Sequence, residues 1–160
     1  MKIAITSDTH SQKLPKQLLE ECKGADLIVH AGDFCSMKDV NAFRKLGELK
    51  AVHGNADESD VAALFPKQLL LTCEAVKIAV THGRGSRQAV LETVMAEFKK
   101  AKPDIAIFGH SHQPMNETIG GTLYFNPGSP NDEICAPYCS YGIIEVKGSK
   151  FEAKIVKVKK

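Results

Sequence analysis

The sequence contains no tryptophan, and phenylalanine and tyrosine bring its aromatic share to only 6%. Proteins that grip single-stranded nucleic acid combine a basic groove with stacking rings, so nucleic acid is not an expected partner. A net charge of +2 is also too small to steer a polyanion by its field alone. Long apolar runs are missing as well: none approaches the roughly 18 residues of a spanning helix, so no membrane association is expected. The opening stretch MKIAITSDTH holds too few apolar residues before Asp8 for a signal peptide, and a cytoplasmic location is expected. The five cysteines, Cys22, Cys35, Cys73, Cys135 and Cys139, are odd in number and form no C-x-x-C pair. They read as small buried or half-buried thiols, with Cys135 and Cys139 close enough to meet across the loop CAPYC.

What is present describes a globular chain. Hydrophobic residues make 43% and charged residues 25% of 160 positions, enough for one domain spanning residues 1–160. Over the first two thirds, strand-like runs (residues 2–7, 26–30, 48–53, 77–82 and 104–110) alternate in most places with helical patterns (14–24, 36–47 and 86–102). The last two helical patterns open on a serine able to cap, and the first two close on glycine. Such alternation predicts a largely parallel sheet covered by helices, and the continuous apolar character of the strands fits burial on both faces. After Pro114 the texture changes to two hairpins, turning at Gly120-Gly121 and Gly148-Ser149, with a third at QLLLTCEAVKIAV. The last third is therefore expected to be antiparallel β. The whole is expected to be two sheets packed face to face with helices outside.

All six histidines fall at or just past the end of a strand-like run: His10, His30, His53, His82, His110 and His112. Ligands of open α/β sheets bind at the carboxyl ends of parallel strands. The same ends carry Asp8, Asp33, Asn55 and Asp57. In IAIFGHSHQP, an extended backbone aims His110 and His112 the same way, which a metal explains and, for this stretch taken alone, a polar loop explains equally well. Each short motif is weak by itself. Five of them in chain order, each after a strand, are not a chance set.

The ordered set Asp8-x-His10, Gly32-Asp33, Gly54-Asn55, His82-Gly83 and Gly109-His110-x-His112 resembles the calcineurin-like metallophosphoesterase superfamily. The small size and the segment FNPGSP resemble its compact YfcE-type phosphodiesterase branch. The resemblance runs from Asp8 to about Ser129 and implies a four-layer α/β/β/α sandwich with two mixed β-sheets. It also implies two divalent metal ions, one on Asp8, His10, Asp33 and His112, the other on Asp33, Asn55, His82 and His110, with Asp33 bridging. Manganese is the metal the resemblance favours, and the oxygen and nitrogen donors also suit nickel, zinc, iron or cobalt.

That ligand set implies hydrolysis of a small phosphodiester by in-line attack of a metal-bridging hydroxide, with Asp33, Asn55 and His82 at the catalytic centre. Two carboxylates against two divalent cations leave a charge of about +2, enough to attract phosphate and acidify water. Asn55 keeps that charge where an aspartate would reduce it, and can also touch substrate. The family's third motif commonly continues with a histidine thought to protonate the leaving group; here Ala56 stands in its place. His53 and His30 read as structural, Asp57 as either a histidine's partner or a turn former, and Asn126-Pro127-Gly128-Ser129 as a structural turn. Arg84 and Arg87 are candidates for phosphate contact. The competing class is a catalytically inactive interaction scaffold of the same fold, like a retromer subunit. An amidohydrolase barrel needs about 250 residues, and the H-x-H-x-D-H of a metallo-β-lactamase site is absent. A homo-oligomer is compatible with everything above.

Overall fold

A computed structural model describes residues 1–159. Ten strands form two five-stranded sheets. In chain order the elements are β1 (Lys2–Thr6), α1 (Lys16–Lys23), β2 (Leu27–His30), α2 (Met37–Arg44), β3 (Leu49–Ala51), α3 (Ser59–Leu64), β4 (Gln68–Cys73), β5 (Val76–Thr81), α4 (Val90–Phe98), β6 (Ile105–Ile107), β7 (Met115–Ile119), β8 (Thr122–Asn126), β9 (Ser140–Lys147) and β10 (Lys150–Lys157). The first sheet has the order β10-β9-β1-β2-β3 and the second β4-β5-β6-β8-β7.

Alternation along each strand assigns the layers. Ile3, Ile5, Leu27 and Val29 of the first sheet meet Ile78, Val80, Ile105, Ile107 and Phe125 of the second in a central core. Their neighbours Ala4 and Ile28 point the other way, against Leu18 and Cys22 of α1, Val40 and Phe43 of α2 and Val61 of α3. On the far side, Ala79, Ala106 and Tyr124 cover Val90, Val94 and Phe98 of α4. The result is the expected four-layer α/β/β/α sandwich, and strands buried on both faces account for runs with no polar alternation.

Local signals hold with adjustments. Gly24 closes α1, but α2 ends at Arg44 and is capped by Lys45, two residues short of Gly47. Ser36 occupies the first cap, yet its hydroxyl bonds the Asp39 carboxylate at 2.5 Å instead of a backbone amide. Ser86 Oγ accepts the Ala89 N–H ahead of α4. The last third departs from the antiparallel expectation: β8 pairs antiparallel with β7 but parallel with β6, Ile105 opposite Leu123. The β7–β8 hairpin thereby extends the parallel core of the second sheet, and β9 returns to pair antiparallel with β1. The short α3 has no counterpart among the expected helices; it runs six residues, lacks a side-chain cap and buries only Val61. Among the described residues, no helix is long and apolar enough to cross a membrane.

His30, at the end of β2, is fully buried and stacks on Phe34 with ring centroids 3.5 Å apart. The Gly32 N–H donates to its Nδ1 at 3.2 Å, so its Nε2 carries the proton and donates to Thr9 Oγ1 at 3.1 Å. This neutral ring is structural. Burial drives its pKa down to about 3, so between pH 6.5 and 3 the unfolded chain takes up a proton that the folded one refuses. Stability falls as pH drops through that window, by up to about 1.4 kcal/mol per pH unit. His30→Leu should be less stable than wild type by about 1–3 kcal/mol at pH 8, since it strands the Gly32 and Thr9 partners. The gap should narrow steadily below pH 6.5. Urea unfolding of both proteins from pH 8 to pH 4 measures it; a gap independent of pH would refute the assignment.

Candidate metal centre

Strand ends deliver the site. β1, β2 and β3 of the first sheet and β5 and β6 of the second release their chains into loops holding Asp8 and His10, Asp33, Asn55, His82, and His110 and His112. The loops are tight. Seven of the nine non-glycine residues with positive φ lie in them: Asp8 (55°), His10 (47°), Ser11 (54°), Asp33 (61°), Cys35 (83°), His110 (67°) and His112 (58°). Left-handed backbone costs about 1–2 kcal/mol per residue and persists where the surroundings over-determine it. Here Asp8 N–H donates to Gly32 O and His10 N–H to Asp33 O, each at 3.0 Å. A side chain at Gly109 would overlap the Ser7 hydroxyl, and one at Gly54 would overlap the Asp33 carboxylate. Both glycines are needed so that the loops can close on the carboxylates.

Two groups of donors converge, Asp8 with His10 and His112, and Asp8 with Asp33 and His82, every donor atom within 4.8 Å of the others in its group. Asp33 Oδ2 lies 3.3 Å from His82 Nε2 and 3.7 Å from His10 Nε2. Asp8 Oδ1 lies 3.3 Å from His112 Nε2 and 3.9 Å from both His10 Nε2 and His82 Nε2. Both carboxylates therefore stand between histidines that the sequence assigns to different ions. Asn55 and His110 form a pair at the exposed margin, Oδ1 to Nδ1 3.0 Å, and the His110 backbone N–H donates to the Asp8 carboxylate at 3.1 Å.

The donor set fits a cation on three observations. His82 Nδ1–H donates to Ala31 O at 2.8 Å, so neutral His82 points a lone pair at the carboxylates from Nε2, a buried atom with no hydrogen-bond partner. His10 Nε2 and His112 Nε2 face each other at 3.3 Å. With His110 Nε2–H committed to Gly85 O at 2.8 Å, its Nδ1 opposes Asn55 Oδ1, lone pair to lone pair. A shared cation relieves that opposition, as does turning the amide over.

Electrostatics say the same. Burial raises the carboxyl pKa values, but the imidazoles of His112 and His82 reverse this for Asp8, and His82 takes Asp33 down to about 2. Burial pulls His82 and His112 down, and the carboxylates outweigh it, bringing each to about 9. Protons therefore fill the positive role when no cation does, and metal uptake must displace them.

Asp57 resolves its two readings: it is no histidine's partner. Its carboxylate accepts the N–H groups of Asp33 (3.0 Å), Cys35 (2.8 Å) and Gly54 (2.7 Å), tying two site loops together. Asn126 to Ser129 underpin two others. Asn126 Nδ2 donates to Gly109 O (2.9 Å), and Ser129 Oγ donates to Asp8 O (2.8 Å). Ala56 is exposed, with its N–H on Asp33 Oδ1 at 2.8 Å. His53 is half-buried, its Nδ1 3.3 Å from Gly54 O. Arg84 is exposed and pairs with Glu97 of α4 at 3.6 Å, outside the donor groups; Arg87 donates to Cys135 O at 3.2 Å. Asp132, 2.5 Å from His112 Nδ1, lay in no sequence motif, and nothing local to the irregular segment between β8 and β9 marks it.

Two stacked five-stranded sheets with histidines and aspartates gathered at their strand ends define the class: an α/β/β/α sandwich with a candidate metal centre. The family model described as a calcineurin-like phosphoesterase superfamily domain matches residues 1–149, and the chain belongs to that superfamily. It is 32% identical to a protein named probable metallophosphoesterase from Methanocaldococcus jannaschii, over 99% of this chain and 82% of that relative. It is 30% identical to the phosphodiesterase YfcE of Escherichia coli, over 91% of this chain and 88% of that one. Among solved structures, Vps29 from Entamoeba histolytica in complex with zinc superposes with a TM-score of 0.77, covering 99% of this chain and all of that one; at 21% identity this shows the fold.

Asp57→Asn keeps one oxygen but removes charge and an acceptor from a carboxylate serving three amides. It should lower stability by about 2–4 kcal/mol, the cost of lost charge-assisted bonds and stranded donors. Asp60→Asn, on exposed α3, serves as the control. Equal urea midpoints for the two variants would show that the loops do not depend on Asp57.

Proposed function

We propose that the protein is a metal-dependent phosphodiesterase that cleaves small phosphodiesters at a binuclear centre of Asp8, His10, Asp33, Asn55, His82, His110 and His112. The observation that carries this reading is His82 Nε2: buried, unpartnered, and aimed at Asp8 and Asp33 by the Ala31 carbonyl. Manganese is the proposed metal, and zinc, nickel, iron or cobalt also suit these donors. Bound divalent cations supply positive charge that acidifies water and neutralises phosphate oxygens.

The chain's own residues do the rest. Asp8 and Asp33 stay ionised and hold the imidazoles of His10, His82 and His112 in register. His110 is aimed by Gly85 O, which presents its Nδ1 beside Asn55 on the exposed side, where substrate enters. Asn55 is a neutral oxygen donor there, so the site's positive charge is not diminished where phosphate arrives. Attack on phosphorus is in line with the leaving oxygen, and beside that loop position 56 offers only a methyl group. No side chain at this point protonates the departing alkoxide, so good leaving groups are favoured. The alternative, a binding scaffold of the same fold, draws on the likeness to Vps29, one structure of which is a complex with zinc, so turnover of a phosphodiester and not metal uptake separates the two readings.

Two outcomes follow. Asp33→Ala, like exhaustive chelation of the wild type, should abolish hydrolysis of an aryl phosphodiester such as bis(p-nitrophenyl) phosphate; full activity in either would refute the metal mechanism. Across aryl diesters of graded leaving-group pKa, the wild-type rate should fall steeply, because general-acid assistance, typically worth about 10²–10⁴-fold, is missing. Ala56→His should flatten the slope. A flat wild-type series with chemistry rate-limiting would mean another group supplies the proton.

A further inference from the structure

We infer that Asp132 is a positioning residue for the metal centre, setting the tautomer and orientation of His112. The inference rests on the proposed role of His112 as a ligand. Asp132 lies on the irregular segment between β8 and β9, with its side chain only 13% exposed. Its two oxygens have separate duties. Oδ1 accepts the N–H groups of Ile134 (2.9 Å) and Cys135 (2.8 Å), which locks the carboxylate in its own loop. Oδ2 lies 2.5 Å from His112 Nδ1. The backbone ties this loop to the centre a second time: Asp132 N–H donates to Ser129 Oγ at 3.2 Å, and that hydroxyl donates to Asp8 O at 2.8 Å.

A carboxylate can only accept, so neutral His112 must carry its proton on Nδ1. Its Nε2 lone pair then faces Asp8 Oδ1 and His10 Nε2, both at 3.3 Å. The other site histidines are oriented differently: His82 by the Ala31 carbonyl, while His10 Nδ1 lies 3.6 Å from the Cys35 thiol. Among the described residues, His112 is the one site histidine with an anion behind its ring. Outer partners of this kind fix a ring's tautomer and raise its basicity as a ligand.

Asp132→Asn separates this role from loop packing. The amide can keep its oxygen on the Ile134 and Cys135 amides and place its NH₂ against His112 Nδ1. That holds the proton on Nε2 and turns the lone pair away from the centre. Flipping the amide would instead aim NH₂ at two N–H donors. Asp132→Ala removes the partner but lets water accept from Nδ1–H. Titration with Mn²⁺ alone at pH 8, followed by calorimetry, should therefore show about 10–100-fold weaker binding in Asp132→Asn. The loss should match the site that His112→Ala removes, and it should exceed the loss in Asp132→Ala. A merely structural role predicts the reverse order, with alanine the more damaging. Wild-type affinity in Asp132→Asn, or a greater loss in a folded Asp132→Ala, overturns the positioning role; if alanine prevents folding, the asparagine variant decides alone. Absence of any Mn²⁺ uptake by the wild type would overturn the metal-centre reading itself, and this role with it.

Discussion

A carboxylate with no exposure to water, Asp8, is the constraint around which this molecule is arranged. An unpaired buried charge is among the most expensive features a fold can carry. Asp8 is tolerated because the Ser7 hydroxyl and the His110 N–H donate to it, and because His82 and His112 stand against it. None of the last three is near Asp8 in sequence. The two sheets must stack with these strand ends together, or the carboxylate is stranded.

Support for that arrangement comes from polar groups that never touch the donors' working atoms. Asp57 joins the loops after β2 and β3 within the first sheet. Asn126 and Ser129, at the end of β8, clamp the loops after β6 and β1 across the two sheets. These contacts go mostly to backbone, so they hold loop paths and not particular side chains. They also offset the cost of left-handed backbone at Asp8, His10, Asp33, His110 and His112. Loosening any one would let the strained loops relax and the imidazoles drift from the carboxylates.

The histidines divide by the group behind each ring. Behind His30 is an amide donor, which makes the ring an acceptor at Nδ1 and suits it to the core. Behind His82 is a carbonyl, and behind His112 a carboxylate, which both push the lone pair toward the centre. Two histidines at similar strand ends, His30 and His82, thus take opposite chemical roles through a single neighbouring backbone group.

Much of this is written in local order. Apolar runs buried on both faces, glycine and serine punctuation and the turns at Gly120-Gly121 and Gly148-Ser149 are consequences of period and turn chemistry acting over a few residues. The positions of Asp8, His10, Asp33, Asn55, His82, His110 and His112 just past strand ends are equally local, which is why the family pattern and the layered architecture were legible. The parallel pairing of β8 with β6 was not, because a hairpin does not state which sheet it extends. Asp57 could be narrowed only to two roles, since its three amide partners span Asp33 to Gly54 and are brought together by strand order. The pairing of Arg84 with Glu97 of α4 had no signal either, because the two lie 13 residues apart and the fold of that loop onto α4 brings them together. Asp132 had no signal at all: its partner His112 lies 20 residues away, across β7 and β8. Composition and spacing determined which donors exist and at which strand ends they emerge. Only the stacking of the two sheets decided which atoms face one another, because hydrogen bonds and lone pairs act over about 3 Å, a distance that chain order does not set.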